Sequence, residues 1–253
     1  MPEARRIRAV IVDDEAPARA LLREYLGAEP DVDLVAECGN GFEALKKIGE
    51  LEPDLVLLDV QMPKLDGFEV LELLEKRPAV VFVTAYDEYA LKAFEVHAAD
   101  YVLKPIGRER LAEAIRQVRA RLAAPVAAVP VASPAALANA ARAPGQHLER
   151  VLIKDGANVH VIPVERVDWI EAQDDYVGVR AEGKTHLKPQ PIAEIAAALD
   201  PARFVRIHRS YVLNVDRLAR LELYAKDSRI AILKDGKQLP VSRAGYARLR
   251  ELL

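Results

Sequence analysis

Five polar residues in the first half of the chain each stand at the end of a short apolar run, where their side chains could do chemistry. Asp13 and Asp14 follow the first run, Asp59 follows LVLL, Thr84 ends the fourth run and Lys104 follows the fifth. Carboxylate oxygens with open water positions suit Mg²⁺. A lysine ammonium and a hydroxyl suit phosphoryl oxygens. An aspartate between a divalent cation and a lysine is a candidate nucleophile that would form an aspartyl-phosphate.

The elements that must bring these residues together are five apolar runs that alternate with amphipathic stretches. ARALLREYL and GFEALKKIGEL place Leu and Ile at helical spacing, and RERLAEAIRQVRARL closes the set. This alternation predicts an α/β doubly wound (βα)5 sheet, whose ligands bind outside the carboxyl ends of the strands. The polar residues should therefore meet at one edge. The predicted strands are Ile7–Val12, Val32–Ala36, Leu55–Leu58, Val80–Val83 and Tyr101–Leu103.

Each of these polar residues has an ordinary structural explanation when it is taken alone. A single aspartate at a strand end is usually a turn or N-cap residue, and Asp13 and Asp14 could cap the helix that begins in EAPARALL. Lys104 alone is typical of a solvated lysine, and Thr84 alone is typical of packing. Their joint occurrence at four strand ends of one series favours the functional interpretation.

These residues also carry a resemblance to a known family. Residues 7–122 resemble the receiver domain of two-component response regulators on the stretches VDDE, LLDVQMPKLDG, FVTAY and ADYVLKP. The resemblance implies that Asp59 is the phosphoacceptor and that a sensor histidine kinase is the phosphodonor. It also implies that the bond between Lys104 and Pro105 is cis.

The same resemblance implies roles for the residues around Asp59. A phosphoryl group adds roughly two negative charges, toward which Thr84 can move while Tyr101 turns inward to fill the vacated space. The face that carries residues 86–94 and Arg108–Leu122 would change its structure on phosphorylation. A homodimer built on the predicted fourth and fifth helices and the fifth strand should follow. The implied magnesium (Mg²⁺) ligands are Asp14, Asp59 and the backbone carbonyl of Gln61, with Asp13 acting through water, and the implied phosphoryl-binding and switch residues are Thr84, Tyr101 and Lys104.

The chain divides into an acidic and a basic half. Residues 1–124 hold 17 Lys and Arg against 24 Asp and Glu, a net charge of −7, whereas residues 125–253 hold 19 against 15, a net charge of +4. The stretch from Ala123 to Gly145 contains 11 Ala and four Pro without helical periodicity, which is typical of a linker. We therefore predict a first domain over residues 1–122, a linker over 123–147 and a second domain over 148–253.

Composition excludes several classes of protein. Cys38 is the only cysteine, so an intrachain disulfide and a cysteine-based zinc site are excluded. Charged residues precede any apolar segment at the N-terminus, which does not resemble a signal peptide. The uncharged stretch from Ala123 to Ala141 is too rich in Ala and Pro to span a membrane. We therefore expect a cytoplasmic protein without a membrane partner.

The second domain is predicted to be mainly β. Its short β-rich runs are separated by turns such as KDGAN, AEGK and KDGK, with one helix from Pro191 and a last helix capped by Ser242. Two long amphipathic helices joined by a short turn are absent from the sequence, so a helix-turn-helix motif is excluded. The predicted strands are Val151–Lys154, Val159–Ile162, Val167–Ile170, Tyr176–Arg180, Phe204–His208, Tyr211–Val215, Leu218–Tyr224 and Arg229–Leu233.

The order of these pieces resembles the LytTR DNA-binding domain of the LytR/AlgR response regulators. The resemblance rests on VDWIEAQDDYVGVR, FVRIHRSYVLNVDRL and LPVSRAGYARL. It implies loops that enter successive major grooves of double-stranded promoter DNA, at paired half-sites if the protein is a dimer. Asp174 and Asp175 make the first of these loops acidic. The residues at the implied DNA-contacting positions are Tyr176, Lys188, His208, Arg209 and Arg243.

Two other functions compete with a phosphorylation-controlled, sequence-specific transcription regulator. A phosphatase would use Asp59 as its nucleophile, but such hydrolases commonly place an acidic Asp two residues on, where this chain has Gln61. P-loop, GxGxxG and GxSxG motifs are also absent from the sequence, so we expect no enzyme. The basic residues of the second domain are also typical of strands with an outward polar face, and that domain could bind protein instead of DNA. Salt-sensitive binding to duplex DNA separates these interpretations.

Overall fold

The computed structural model describes residues 5–74, 76–87, 89, 93, 97–123, 147–156, 158–225 and 228–253. These residues belong to two compact units, one within residues 1–141 and the other within residues 142–253. In the part of the chain described, no helix is long and apolar enough to cross a membrane. Most of the predicted linker, residues 124–146, lies outside the described residues.

The first unit is a five-stranded parallel sheet with the strand order β2-β1-β3-β4-β5. The order reverses between β1 and β3, which makes their carboxyl ends the switch point where doubly wound sheets bind ligands. The predicted fold class is confirmed. The strands are β1 (Ile7–Val12), β2 (Val32–Cys38), β3 (Leu55–Leu58), β4 (Ala79–Thr84) and β5 (Asp100–Leu103), and the described helices are α1 (Ala16–Leu26), α2 (Gly41–Leu51), α3 (Gly67–Leu73) and α4 (Arg108–Ala123).

The central strands are buried on both faces, which explains their uninterrupted apolar sequences. All four residues of β3 have no exposed surface, and β4 is buried along its whole length. Parallel strands covered by helices on both sides read as continuous aliphatic runs rather than as alternating patterns. A charged residue is therefore tolerated only where such a strand ends, and Asp59 follows β3 at that point.

In the first unit the boundaries of three strands differ from the prediction, and the face predicted over residues 86–94 is only partly described. β4 is one residue longer at each end, from Ala79 to Thr84. β2 runs two residues further, to Cys38, whose thiol is buried and whose pKa is raised to about 12 by that burial and by the nearby Glu43 carboxylate. β5 begins one residue earlier, at Asp100. Within the face predicted over residues 86–94, residues 88, 90–92 and 94 lie outside the described part of the chain.

The second unit is built from antiparallel strands, as predicted. A five-stranded sheet has the order β10-β9-β8-β12-β11, beside a three-stranded sheet β13-β14-β15 and a two-stranded ribbon β6-β7. The strands are β6 (Arg150–Asp155), β7 (Asn158–Pro163), β8 (Val167–Gln173), β9 (Tyr176–Ala181), β10 (Lys184–Lys188), β11 (Phe204–His208), β12 (Tyr211–Asn214), β13 (Leu218–Ala225), β14 (Ser228–Leu233) and β15 (Gln238–Val241), and the helices are α5 (Ile192–Ala198) and α6 (Arg243–Arg250).

The last helix is fixed directly against strand β11. Ser242 caps α6, since its side chain accepts a hydrogen bond from the backbone of Gly245, which confirms the predicted N-cap. The backbone and hydroxyl of Ser242 both donate to the carbonyl of Ile207, at 2.8 and 3.0 Å. A Cβ at position 245 would lie 1.9 Å from that carbonyl oxygen. Only glycine allows this close approach, which holds the start of α6, with Arg243, against the sheet.

Candidate functional site

Three aspartates converge at the switch point of the parallel sheet. Asp13 and Asp14 follow β1, and Asp59 follows the neighbouring β3, whose Leu58 is in register with Val12. One carboxylate oxygen from each aspartate lies within 4.8 Å of the other two. Asp13 and Asp59 are buried, whereas Asp14 is exposed. The sheet therefore brings together the three carboxylates that the sequence placed at strand ends.

Lys104 supplies the positive charge of this cluster. Its ammonium nitrogen lies 2.9 Å from Asp59 Oδ2, 2.9 Å from Asp13 Oδ2 and 2.9 Å from Glu15 Oε2. The peptide bond between Lys104 and Pro105 is cis, as expected. Burial lowers the pKa of Lys104, but hydrogen bonds and charge interactions with the carboxylates outweigh it, so the pKa is raised overall. The ammonium therefore stays charged at neutral pH.

Asp13 has an incompletely satisfied carboxylate. Burial raises its pKa, and the neighbouring Asp59 charge adds to the rise, against lowering by Lys104 and by the backbone N–H of Glu15. That N–H donates to Asp13 Oδ1 at 2.9 Å. Oδ2 contacts Lys104 as an ion pair but accepts no well-directed hydrogen bond from any described residue. A buried carboxylate oxygen without a directed donor, beside two further carboxylates, fits a hard divalent cation or its water.

Thr84 and Tyr101 lie on neighbouring strands beside the carboxylates. Thr84 is fully buried, and its Oγ1 has no hydrogen-bond partner among the described residues. The half-exposed Tyr101 donates its hydroxyl hydrogen bond to the backbone carbonyl of Tyr86, and its ring centroid lies 6.3 Å from that of Phe82. The unsatisfied Thr84 hydroxyl can therefore form a new hydrogen bond. The hydroxyl of Tyr101 is held by the Tyr86 carbonyl instead.

The loop after Asp59 is held close to the phosphoacceptor candidate by its own backbone. The N–H of Gly67 donates to the carbonyl of Val60 at 2.8 Å, and a Cβ at position 67 would lie 2.4 Å from the Asp59 carbonyl oxygen. The side chains of Asp66 and Glu69 form a capping box that begins α3 at this point. The backbone N–H of Gln61 donates to Asp59 Oδ1 at 3.3 Å. The turn that follows the buried strand therefore positions the Asp59 carboxylate.

In the second unit, three of the predicted DNA-contacting residues are exposed at the ends of regular elements. Tyr176 begins β9, Arg209 lies in the turn between β11 and β12, and Arg243 begins α6. The carbonyl of Arg209 accepts a hydrogen bond from Arg206 at 2.9 Å, which fixes the backbone of that turn. Within the described residues, no carboxylate pairs with the guanidinium of Arg209.

Two acids that could serve as internal partners of Arg209 and Arg243, Asp216 and Glu222, pair with other arginines. Asp216 lies 3.2 Å from Arg203, and Glu222 lies 2.7 Å from Arg220. These acids are therefore occupied by arginines that were not predicted to contact DNA.

Lys188 corrects the sequence-based list of DNA contacts. Its side chain is buried, and its ammonium donates to the carbonyl of Leu152 in the β6-β7 ribbon at 2.6 Å. A buried ammonium committed to a backbone oxygen supports the fold and cannot reach a phosphate at the surface. His208 is half-buried, and its Nδ1 accepts a hydrogen bond from the backbone of Ser210 at 3.2 Å. That bond shapes the turn that presents Arg209.

Comparison with known proteins decides the family. Residues 9–116 match the family described as response regulator receiver domain, and residues 157–253 match the LytTr DNA-binding domain. An uncharacterized response regulatory protein of Yersinia pestis is 35% identical over 98% of this chain and 98% of its own length. An uncharacterized response regulatory protein of Vibrio cholerae is 37% identical over 93% of this chain and 94% of its own length. The transcriptional regulatory protein BtsR of Escherichia coli K12 is 32% identical over 98% of this chain and 99% of its own length.

The chain belongs to the two-component response regulators. It is a DNA-binding transcription regulator, and its two units are a receiver domain and a LytTR domain. Membership in this family also confirms the prediction that the chain is not an enzyme. Receiver domains bind Mg²⁺ in an acidic pocket, and the response regulator has an aspartate cluster of this kind.

Sequence reasoning missed one residue of the receiver pocket, Glu15. It follows Asp14 directly, and its carboxylate shares the ammonium of Lys104 with Asp13 and Asp59. The sequence carried only a weak signal for it, because an acid before a helix is usually read as a residue of the first helical turn.

Proposed function

We propose that Asp59 accepts a phosphoryl group from a phosphohistidine of a sensor histidine kinase. The observation that carries this assignment is the 2.9 Å contact between Asp59 Oδ2 and the ammonium of Lys104, at the rim where Asp13 and Asp14 also lie. An Asp59 carboxylate oxygen attacks phosphorus, the P–N bond of the donor breaks, and its electron pair remains on the imidazole nitrogen. Lys104 is placed to bind an oxygen of the transferred group.

The magnesium ligands belong to the same proposal. Asp14, Asp59 and the backbone carbonyl of Gln61 would hold Mg²⁺, and Asp13 would act through a bound water. The donor set consists of hard oxygen atoms, and Asp13 Oδ2 lacks a directed hydrogen bond from the described residues, as a water-mediated ligand requires. The cation, when bound, neutralises charge on the phosphoryl oxygens during transfer.

The switch in this proposal consists of Thr84 and Tyr101. A phosphoryl oxygen on Asp59 would give the buried Thr84 hydroxyl the hydrogen-bond partner that it lacks. Movement of Thr84 leaves space for the Tyr101 ring, which then gives up its bond to the Tyr86 carbonyl. Phosphorylation shifts an equilibrium between two arrangements by the difference in their free energies of interaction.

The output in this proposal is sequence-specific binding to duplex promoter DNA in the cytoplasm. Arg209 and Arg243 would contact bases or phosphates, with Tyr176 and His208 beside them in the interface. Phosphorylation would favour a homodimer through α4, the edge strand β5 and the segment 86–94, and the dimer would bind paired half-sites. The domain limits that accompany this function are residues 1–122, a linker over 123–147 and residues 148–253.

The direct test of the phosphoacceptor is labelling with a small phosphodonor. The full-length protein is incubated with acetyl phosphate and Mg²⁺, and intact mass and peptide mapping locate the adduct. We expect one acid-stable, base-labile phosphoryl group on Asp59, and none in Asp59→Asn, whose amide is not a nucleophile. Asp54→Asn, which changes a partly buried aspartate that precedes the same strand and pairs with Arg5, is the matched control and should label like the parent. An Asp59→Asn protein that labels like the parent would overturn the assignment.

A further inference from the structure

The ammonium of Lys104 contacts a carboxylate that the three-aspartate cluster does not include. Glu15 Oε2 lies 2.9 Å from Lys104 Nζ, in a directed hydrogen bond. The Glu15 side chain is 63% exposed, whereas those of Asp13 and Asp59 are 1% and 7% exposed. Lys104 is therefore shared between two buried acids and one acid that is open to solvent.

The backbone of Glu15 is held at the rim of the pocket, and its side chain does not cap the helix. Glu15 is the N-cap residue of α1, but its side chain accepts no capping hydrogen bond. Its backbone N–H donates to Asp13 Oδ1, which anchors the residue at the rim of the pocket. A glutamate that is this exposed to solvent is charged at neutral pH.

The ammonium of Lys104 is already shared among three acids. It donates directed hydrogen bonds to Glu15 and Asp59 and forms an ion pair with Asp13, each contact at 2.9 Å. A phosphoryl group on Asp59 brings new acceptor oxygens and roughly two further negative charges to the same place. The new oxygens compete with the existing contacts for the ammonium, and the contact to the solvated acid is released at the least cost because water replaces its lost bond.

We propose that Glu15 competes with the phosphoryl group for Lys104 and thereby sets how tightly the receiver holds that group. This inference rests on the proposed role of Asp59 and extends it to a positioning residue, Glu15, that is not among the five polar residues predicted at the strand ends. The carboxylate of Glu15 either leaves Lys104 on phosphorylation or remains and offsets its charge. In both cases Glu15 weakens the attraction between the Lys104 ammonium and a bound anion. Removing the Glu15 charge should therefore strengthen binding of the anion.

Beryllofluoride, which occupies the place of a phosphoryl group on a carboxylate, is the probe that tests this competition. It is titrated into the full-length protein at saturating Mg²⁺, with bound fluoride followed by fluorine NMR, and Mg²⁺ affinity is measured separately without beryllofluoride. Glu15→Gln keeps the size of the side chain and removes its charge. Glu24→Gln is the matched control, because Glu24 is an exposed glutamate of α1 whose cationic partner is Arg108 and not Lys104.

We expect Glu15→Gln to bind beryllofluoride about threefold more tightly than the parent and to bind Mg²⁺ equally or more weakly. A damaged pocket would lose affinity for both ligands, so tighter binding of beryllofluoride separates competition from misfolding. Glu24→Gln should match the parent in both measurements. Parental or weaker beryllofluoride binding by Glu15→Gln overturns the inference, as does equal tightening in Glu24→Gln. If the parent itself binds no beryllofluoride, the role of Asp59 fails first.

Discussion

The ammonium of Lys104 lies 2.9 Å from Oδ2 of Asp59, although 45 positions separate the two residues in the sequence. Asp59 follows β3 and Lys104 follows the edge strand β5, so the contact spans the end of β4. The parallel sheet aligns all three carboxyl ends, which places Thr84 at the end of the strand between them. This contact joins the phosphoacceptor candidate to the strand whose face is proposed to carry the signal.

Replacing Lys104 should separate phosphorylation from its output. In Lys104→Ala, Mg²⁺ should bind at least as tightly, because a positive charge is removed from beside three carboxylates. Phosphorylation should then no longer change DNA affinity, because no ammonium grips the phosphoryl oxygen. Calorimetry and fluorescence anisotropy provide the two measurements. Lys76→Ala, which removes an exposed lysine paired with Glu52, should behave like the parent. A Lys104→Ala protein with a full phosphorylation response contradicts this role.

Gly67 should be intolerant of a side chain. Its added Cβ would lie 2.4 Å from the carbonyl oxygen of Asp59, and neither backbone segment can move without displacing the phosphoacceptor. We expect Gly67→Ala to lose roughly 1–3 kcal/mol of stability and to label more slowly with acetyl phosphate. Gly49→Ala is the control, because its Cβ would meet nothing within 4 Å and alanine favours the helix. Denaturant unfolding gives the stability of each variant, and the rate of labelling with acetyl phosphate gives its reactivity. Equal stabilities and equal labelling rates of the two variants would refute the steric argument.

Phosphorylation should produce a dimer through the face of β5 and α4. Arg110 on α4 binds Asp100 on β5 through two hydrogen bonds of 2.6 and 2.7 Å, which fixes the two elements together. Leu103 on the edge strand is 45% exposed. Sedimentation at micromolar protein should show a doubled mass after phosphorylation and a monomer for Asp59→Asn under the same conditions. An unchanged mass of the fully phosphorylated parent would argue against this dimer.

Arg209 and Arg243 should contribute separately to DNA binding. Loss of a base contact should cost about 1–3 kcal/mol and relax preference at one position, whereas loss of a phosphate contact should weaken binding to all sequences alike. We expect Arg243→Ala to show the first pattern and Arg209→Ala either one, in anisotropy titrations against a selected duplex and its point variants. Arg203→Ala, whose guanidinium pairs with Asp216, is the control. Parental affinity in both folded variants would reject the DNA-reading assignment.

Much of the receiver pocket was predictable because strand ends in a parallel sheet are fixed by the hydrophobic pattern. The run before Asp59 has no polar position, so the first carboxylate after it must lie at the rim. Glu15 was not predictable in the same way. Its contact with Lys104 joins residues 89 positions apart and depends on a side-chain conformation at the start of α1, which no periodic pattern encodes.

Burial in the β domain was harder to predict where a polar residue is buried and its apolar neighbour is exposed. In β10, Leu187 is 51% exposed while the neighbouring Lys188 is buried. The Leu152 carbonyl of the β6-β7 ribbon accepts a hydrogen bond from the Lys188 ammonium. Packing against the ribbon therefore overrides the alternation of buried apolar and exposed polar residues expected along β10. The short strand β10 was also missing from the predicted list of strands. Ser242 was predicted correctly because N-cap chemistry is local.

The central claim is that phosphorylation of Asp59 controls binding to DNA, and one measurement tests it most directly. The affinity of the full-length protein for a duplex selected from random sequence is measured by anisotropy, at fixed salt and Mg²⁺, with and without acetyl phosphate. The parent should bind more tightly after phosphorylation, and Asp59→Asn should show the same affinity under both conditions. Equal affinity of the parent before and after complete phosphorylation, or an equal gain in Asp59→Asn, would contradict the account.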